Sequence, residues 1–283
     1  MTVTAVFDAV AELAPRIRAG LIERRDPLES ENASGDTQLA ADDWADTLFG
    51  ERLTAIDGVG EYASEERDGV TDCGEGLSVA VDPLDGSSNL QSNNPVGTIV
   101  GVYDADLPAR GRDLVAAGYV IYGPTTTLTV ARDGTVRTEA LVDGDRRPVE
   151  RDQTLPGDPT VFGFGGGPDS WTPRFAAYAE GVQHELKCRY GGALVADVNQ
   201  VLEYGGVFAY PELVSRPSGK LRHQFEGAPI AYVIETAGGA SSDGRRSLLD
   251  RPIDSLHDRT PVHVGSRTYI DRLEEAFLQE VPQ

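Results

Sequence analysis

Lysine, cysteine and long apolar stretches are scarce in this 283-residue chain. Only Lys187 and Lys220 are lysines, so the other 23 of the 25 basic residues are arginines. Two cysteines, Cys73 and Cys188, exclude a disulfide framework and a cysteine-based metal site, and we expect both to be small, partly buried residues in a reducing compartment. The longest apolar run, 114–122, is too short to cross a bilayer, and no signal peptide is recognisable. We therefore expect a soluble, cytoplasmic protein.

Acidic residues, in contrast, are abundant. The chain has 46 acidic side chains against 25 basic ones, which gives a formal net charge of −21. This charge argues against nucleic acid and anionic membranes as partners, and any phosphate site must therefore carry its own local cations. Acid excess with almost no lysine indicates a protein that works in concentrated salt, where screening suppresses self-repulsion. A GC-rich genome would also favour arginine over lysine.

Apolar periodicity and chain breakers predict alternating helices and strands. Residues 6–21 follow a helical period that is kinked or split at Pro15. A second helix is expected from residue 37 to about 53, with Asp36 as its N-cap. The predicted strands are 59–64, 77–81, 97–103, 115–122, 126–131, 135–141, 206–210 and 262–265, and the later helices are 171–180, 193–204, 228–237 and 267–280.

One stretch breaks this succession. Residues 143–159 are rich in charge, proline and glycine, which makes this stretch the best candidate for a domain boundary. The predicted domains are therefore 1–150 and 151–283, and the fold class is α/β with layered helices and sheets.

The strongest chemical signal is a nine-residue run, Val81-Asp82-Pro83-Leu84-Asp85-Gly86-Ser87-Ser88-Asn89. A predicted strand delivers Asp82 and Asp85 to a loop edge, where carboxylate oxygens suit Mg²⁺ or Mn²⁺. The turn that follows offers backbone N–H groups and the hydroxyls of Ser87 and Ser88, as a phosphate site requires. An Asp-Gly hairpin turn is the alternative, but such a turn does not need the whole run. The motif therefore indicates metal-assisted phosphoryl transfer.

A second pair of carboxylates closes the preceding predicted strand. Glu65 and Glu66 end the segment 62–66 as Asp82 ends the next strand. The ends of neighbouring strands can bring their carboxylates close together, and a bound cation would then offset the repulsion between them. A solvated acidic turn is the alternative explanation.

With these motifs the chain resembles the inositol monophosphatase and fructose-1,6-bisphosphatase superfamily, and class I fructose-1,6-bisphosphatase in particular. The resemblance also rests on segments 111–119, 189–192, 195–198, 204–211 and 219–222, and it covers about residues 35 to 270. It implies the sugar-phosphatase fold, with alternating layers of helices and mixed β-sheets. It also implies Mg²⁺-dependent removal of the 1-phosphate of fructose 1,6-bisphosphate, a gluconeogenic reaction.

The same resemblance implies a set of metal ligands and catalytic residues. Two or three Mg²⁺ ions, with Mn²⁺ as the substitute, would be held by Asp36, Glu65, Asp82, the Leu84 carbonyl, Asp85 and Glu226. Asp42 and Glu66 would orient and deprotonate the attacking water, which the cations acidify. Asp36, Asp42 and Glu226 would otherwise be an N-cap, a helix-surface acid and a further surface acid. The chain has no Cys-x5-Arg loop, and the attack is expected to be in line without a phosphoenzyme.

The substrate residues follow from the same resemblance. Gly86, Ser87, Ser88 and Asn89 would contact the phosphate that leaves. Lys220, Tyr190 and Arg189 would bind the distal phosphate, with Arg189 reaching across from a neighbouring subunit of a dimer or tetramer. Tyr210 would be a further contact to the sugar or a phosphate.

Two segments depart from the family pattern. The family has an Asn and a Tyr that donate to the distal phosphate, and this chain has the glycine-rich segment 161–167 there. Vertebrate-type members bind AMP through an N-terminal threonine turn, a Lys-Tyr pair and an Arg. Here Gly76, Leu77 and Asp104 stand where the pair and the arginine would be, so we do not expect AMP to bind.

Three other functions stay open at this point. The same chemistry could act on sedoheptulose 1,7-bisphosphate, or on a broader range of inositol phosphates or nucleotides. A protein of another class, a catalytically dead cation-binding regulator on the same fold, is the third alternative.

Overall fold

Six α-helices form the helical part of the structure. The computed structural model describes residues 1–25, 27–31 and 37–278, and none of the helices in these ranges is long and apolar enough to span a bilayer. The helices are α1 Thr2–Gly20, α2 Ala40–Leu53, α3 Pro173–Glu185, α4 Leu194–Tyr204, α5 Ala228–Thr236 and α6 Arg267–Leu278.

The larger sheet is built mainly from the first half of the chain. Its strands are β3 Val59–Ser64, β4 Val70–Asp72, β5 Leu77–Asp85, β6 Val96–Tyr103, β7 Leu114–Tyr122, β8 Thr126–Arg132, β9 Thr135–Val142 and β10 Asp145–Glu150. They lie in the order β10-β9-β8-β7-β6-β5-β3-β4, and every pairing is antiparallel except β3 with β5. Because β5, β6 and β7 are buried along nearly their whole length, they read as continuous apolar runs rather than alternating ones.

The smaller sheet comes from the second half of the chain. Its strands are β11 Val161–Phe164, β12 Lys187–Cys188, β13 Gly206–Tyr210, β15 Ala240–Ser242 and β17 Val262–Gly265, in the order β12-β11-β13-β17-β15. Two short pairs complete the strands: β1 Pro27–Glu31 with β2 Thr37–Leu39, and β14 Leu221–Arg222 with β16 Arg259–Thr260.

The helices alternate with the sheets in five layers. Helices α1 and α2 pack on one face of the larger sheet, α4 and α5 lie between the two sheets, and α3 and α6 cover the far face of the smaller sheet. Each of the three helical layers has its own apolar core against a sheet. The fold is therefore the predicted layered arrangement of helices and mixed sheets, with its central helices shared by both sheets.

Several local predictions are wrong. Of the kink and the split expected at Pro15, the split is excluded, because helix α1 continues through that residue. Helix α2 begins at Ala40, so its N-cap is Leu39 and not Asp36, which lies outside the described residues. The stretch 143–159 contains the exposed edge strand β10, so only its later part is irregular. Cys188 is exposed rather than partly buried.

Candidate active site

The predicted site residues meet in one cavity of about 240 Å³ between the two sheets. It lies at the carboxyl ends of β3 and β5, and the short strand β14 closes it from the second half of the chain. The predicted residues that line it are Asp42, Glu65, Glu66, Asp82, Leu84, Asp85, Gly86, Ser87, Ser88, Tyr190, Tyr210, Lys220 and Glu226. Asn89 and Arg189 do not line it, and Asp36 lies outside the described residues.

An irregularity in β5 presents Asp82 and Asp85. Between these two residues the register with β6 shifts, as at a β-bulge, and bulges often re-aim side chains beside active sites. Asp82 Oδ1 accepts a hydrogen bond from the Leu84 N–H at 3.0 Å, and Asp85 Oδ2 accepts one from the Val195 N–H at 2.7 Å. The Thr98 hydroxyl donates to the Pro83 carbonyl. The backbone therefore fixes both carboxylates before any ligand binds.

Glu65, Asp82 and Glu226 form a buried cluster, called here the carboxylate cluster. One oxygen of each lies within 4.8 Å of the others, and Glu65 Oε2 has no hydrogen-bond partner. Burial, followed by repulsion from Glu226, raises the pKa of Glu65 well above its usual value. Burial and repulsion from Glu65 do the same to the pKa of Asp82. Such a group of acids is costly to bury unless a cation neutralises it.

Arg222 supplies part of that neutralisation, and sequence analysis did not assign it a role. Its Nη1 lies 2.6 Å from Glu65 Oε1 and 3.9 Å from Glu226 Oε2, and its backbone N–H donates to Glu226 Oε2. Lys220 and Arg259 also attract Glu226, but burial still raises its pKa, so these cations do not offset the cost of burying three carboxylates together. Arg222 lies in the two-residue strand β14, which is too short to leave a periodic pattern in the sequence.

Asp42 joins the first turn of α2 to the turn after β5. Its Oδ2 accepts a hydrogen bond from the Leu39 N–H at 2.7 Å, and its carboxylate also bonds with Ser87. Burial raises the pKa of Asp42 to about 6, although the bonds from Leu39 and Ser87 act in the opposite direction. Glu66 is half-buried and also lines the cavity.

The turn after β5 depends on a glycine and on Asn89. Gly86 has a φ of 73°, and a Cβ there would lie 2.4 Å from the Ala193 Cβ, so only glycine fits. The Asn89 amide donates to the carbonyls of Pro95 and Gly191. Asn89 therefore ties the turn to a neighbouring loop, and the structure does not bring it to the cavity.

Asp197 of α4 is a second residue that sequence analysis missed. Its carboxylate accepts hydrogen bonds from the backbone N–H groups of Gly191 and Gly192 at 2.6 and 3.0 Å. Burial raises its pKa to about 6. These bonds hold the segment that carries Tyr190 against the cavity. An aspartate in so acidic a chain gives no sequence signal for this role.

Tyr190, Tyr210 and Lys220 form another part of the cavity lining, called here the lysine–tyrosine patch. Lys220 Nζ lies 5.3 Å from the centre of the Tyr210 ring, which is a cation–π geometry. Tyr190 is 44% exposed. Arg189 points elsewhere, since its Nη1 donates to Gln200 and its guanidinium lies over Tyr204.

Layered helices and sheets, with a cavity lined by carboxylates and by a lysine and tyrosines, define a fold of the sugar-phosphatase class. Two family models match: the N-terminal domain of fructose-1,6-bisphosphatase over residues 6–144, and its C-terminal domain over 155–278. The chain therefore belongs to the class 1 fructose-1,6-bisphosphatase family.

Relatives and solved structures agree with this assignment. The class 1 fructose-1,6-bisphosphatase 1 of Haloarcula marismortui is 58% identical over 96% of this chain and 94% of its own length. The class 1 enzyme of Halobacterium salinarum is 58% identical over 97% of both chains. The crystal structure of Leishmania major fructose-1,6-bisphosphatase in holo form has a TM-score of 0.91 at 28% identity, covering 97% of this chain and 94% of that one.

Proposed function

We propose that this protein hydrolyses the 1-phosphate of fructose 1,6-bisphosphate and releases fructose 6-phosphate and phosphate, as in gluconeogenesis. The observation that carries the proposal is a single cavity lined by both the carboxylate cluster and the lysine–tyrosine patch. A bisphosphate needs both, because its reacting phosphate requires cations and its distal phosphate requires a separate anion site. Family membership supports the same activity.

A divalent cation fits the carboxylate cluster. Three buried carboxylates lie beside Arg222, burial raises the pKa of each, and a Glu65 oxygen has no hydrogen-bond partner, so the donor set is a hard-oxygen site that a cation would stabilise. We propose Mg²⁺, two or three ions per site, with Mn²⁺ as a substitute. Their ligands would be Glu65, Asp82, Asp85, Glu226, the Leu84 carbonyl and Asp36. When bound, the cations supply positive charge that stabilises the phosphoryl oxygens and acidifies water.

The remaining residues of the cavity orient the reactants. We propose that Asp42 and Glu66 orient the attacking water and accept its proton, and that the attack is in line without a phosphoenzyme. The raised pKa of Asp42 suits proton acceptance near neutral pH. Backbone N–H groups of the turn 86–88 and the Ser87 and Ser88 hydroxyls would hold the phosphate that is removed, while Asn89 holds the turn itself.

Lys220, Tyr190 and Tyr210 would hold the distal phosphate. We assign Arg189 to the cavity of a neighbouring subunit in a homodimer or homotetramer, because in its own chain it faces away from the cavity. Mixing Asp82→Asn subunits with Arg189→Ala subunits tests this. If Arg189 acts across the interface, mixed oligomers gain sites with all residues intact, and activity rises above that of either variant.

We propose a cytoplasmic enzyme adapted to concentrated salt, since two of its relatives come from Haloarcula and Halobacterium and its net charge is −21. We also propose that residues 1–150 supply most of the metal site and residues 151–283 the distal-phosphate site.

Phosphate release by the purified protein tests the activity. Fructose 1,6-bisphosphate with Mg²⁺ at several salt concentrations should give fructose 6-phosphate and phosphate, and a chelator should abolish release. A higher kcat/KM for sedoheptulose 1,7-bisphosphate than for fructose 1,6-bisphosphate would make sedoheptulose 1,7-bisphosphate the assigned substrate. Equal rates on inositol phosphates or nucleotides would indicate a broad phosphatase, and no release from any of these with bound Mg²⁺ would indicate a catalytically dead cation-binding protein.

A further inference from the structure

Gly165, which immediately follows β11, determines where the Tyr210 ring can lie. A Cβ at residue 165 would approach Cδ2, Cε2 and Cγ of Tyr210 to 2.4, 2.6 and 2.8 Å. Side-chain carbons do not pack this closely, so any residue other than glycine displaces the ring or the main chain. The Tyr210 ring occupies the space that a side chain at position 165 would take.

The main chain at Gly165 cannot easily retreat. Its N–H donates to the Ala209 carbonyl at 2.8 Å, and its carbonyl accepts the Trp171 indole N–H at 2.9 Å. Trp171 is itself held edge-on between Phe164 and Phe175. A side chain at 165 would therefore be accommodated by movement of Tyr210.

Tyr210 also has little freedom apart from its side-chain rotation. It is the last residue of β13 and pairs with Val262 of β17, so its Cα is fixed. The ring would have to rotate away from Gly165, and rotation would carry it away from the Lys220 ammonium that lies 5.3 Å from its centre.

Lys220 depends on that ring for its direction. The lysine is exposed, and its ammonium lies over the Tyr210 ring and also interacts electrostatically with Glu226. No carboxylate of the described residues forms a close ion pair with the Lys220 ammonium, which lines the cavity, so the ammonium is available to an anion. The ring limits the positions that this flexible side chain samples, which lowers the entropy cost of binding.

We propose that Gly165 is a positioning residue for the distal anion site: its missing side chain lets the Tyr210 ring lie against the main chain and hold the Lys220 ammonium toward the cavity. This inference rests on the proposed function of the cavity. It adds which residue sets the affinity of the cavity for the distal phosphate. Gly165 touches no substrate in this proposal and acts only through Tyr210.

The test is a double-mutant cycle with Gly165→Ala, Tyr210→Leu and the combined variant. Gly167→Ala is the matched control, because a Cβ there meets nothing within 4 Å and its φ is −105°. KM and kcat are measured with fructose 1,6-bisphosphate and with fructose 1-phosphate, which lacks the distal phosphate. The affinity for fructose 6-phosphate without divalent cation is measured by calorimetry, which is independent of turnover.

Gly165→Ala should raise KM for the bisphosphate roughly 3- to 10-fold and weaken fructose 6-phosphate binding equally, with kcat nearly unchanged. Fructose 1-phosphate hydrolysis and the Gly167→Ala variant should be unaffected. In the Tyr210→Leu background the added alanine should change KM less than about twofold, since the ring it displaces is gone.

Equal effects of Gly165→Ala in both backgrounds, or no effect beyond that of Gly167→Ala, would overturn the proposal. If Gly165→Ala misfolds, the combined variant decides: recovery of folding supports the steric pairing with Tyr210, and continued misfolding contradicts it. Failure of the unaltered protein to hydrolyse the bisphosphate would instead contradict the proposed function, because fructose 6-phosphate affinity is measured separately.

Discussion

The two parts of the cavity lining differ in burial and in how firmly they are held. Asp82 and Glu226 of the carboxylate cluster are each 4% exposed, while Tyr190 of the lysine–tyrosine patch is 44% exposed. Backbone N–H groups fix Asp82 and Glu226. The Lys220 ammonium, in contrast, is exposed and lies over the Tyr210 ring, with a longer-range attraction to Glu226.

This difference suggests that the carboxylate cluster supports the chemical step and that the lysine–tyrosine patch supports substrate affinity. Buried carboxylates cost free energy until a cation neutralises them, so the cluster is built for tight cation binding and for a reaction that depends on it. An exposed ammonium gains and loses an anion at little cost, so the patch contributes binding energy remote from the reacting phosphate. Changes in the two parts should therefore affect different kinetic constants.

The largest effect is expected from the carboxylate cluster. Replacing Asp82 with Asn, or Glu65 with Gln, should lower kcat by at least about 10²–10³-fold, because each removes a cation ligand. Asp43→Asn is the control, since Asp43 neighbours Asp42 in sequence but is exposed on α2. Steady-state assays at saturating Mg²⁺ check the prediction. A cluster variant that keeps half of its activity would refute the site assignment.

A somewhat smaller effect is expected from the patch, on a different constant. Lys220→Ala should cost about 2–4 kcal/mol in transition-state binding of the bisphosphate, mostly through KM. Hydrolysis of fructose 1-phosphate should change far less. The matched control is Lys187→Ala, which removes the other lysine, exposed on β12. Equal losses of transition-state binding with both substrates would mean that Lys220 has a structural role or belongs to the metal site.

Replacing Arg222 should affect mainly the free energy of unfolding. Without divalent cation, Arg222→Met should lower the free energy of unfolding by about 3 kcal/mol, because the buried carboxylates lose their nearest positive charge. Mg²⁺ should restore much of the loss. Arg112→Met is the control, since Arg112 pairs with Asp250 at the surface and should cost less than about 1 kcal/mol. Denaturant unfolding that shows equal losses for both variants would contradict this account of the cluster.

No effect is expected from AMP. Gly76, Leu77 and Asp104 offer no cation to a phosphate, and Asp104 would repel it. A phosphate group without a partner does not bind favourably, and a nucleotide that does not bind cannot shift a conformational equilibrium. Activity titrated with AMP at saturating Mg²⁺ should stay constant. Half-inhibition at micromolar AMP would reveal a nucleotide pocket elsewhere in the molecule.

Sequence analysis located the acidic part of the cavity better than the rest, for physical reasons. Asp82 and Asp85 lie in a compact motif at the end of an apolar strand, where local pattern determines position. Asp197 acts on backbone groups that only the tertiary fold brings near it. Strand β10 was missed because an exposed edge strand tolerates charge and proline. The contact between Gly165, just after β11, and Tyr210, at the end of β13, depends on the pairing of these two strands. Neither sequence segment alone could therefore predict it.

Thermal unfolding of the unaltered protein and of Asp82→Asn, each with chelator and with Mg²⁺ at constant potassium chloride, tests the central claim most directly. Asparagine can still accept the Leu84 N–H bond but removes a charge from the cluster. We predict that Asp82→Asn is at least as stable as the unaltered protein in chelator and less stable than it in Mg²⁺. A variant that is less stable in chelator would contradict a cluster held in mutual repulsion until a cation binds.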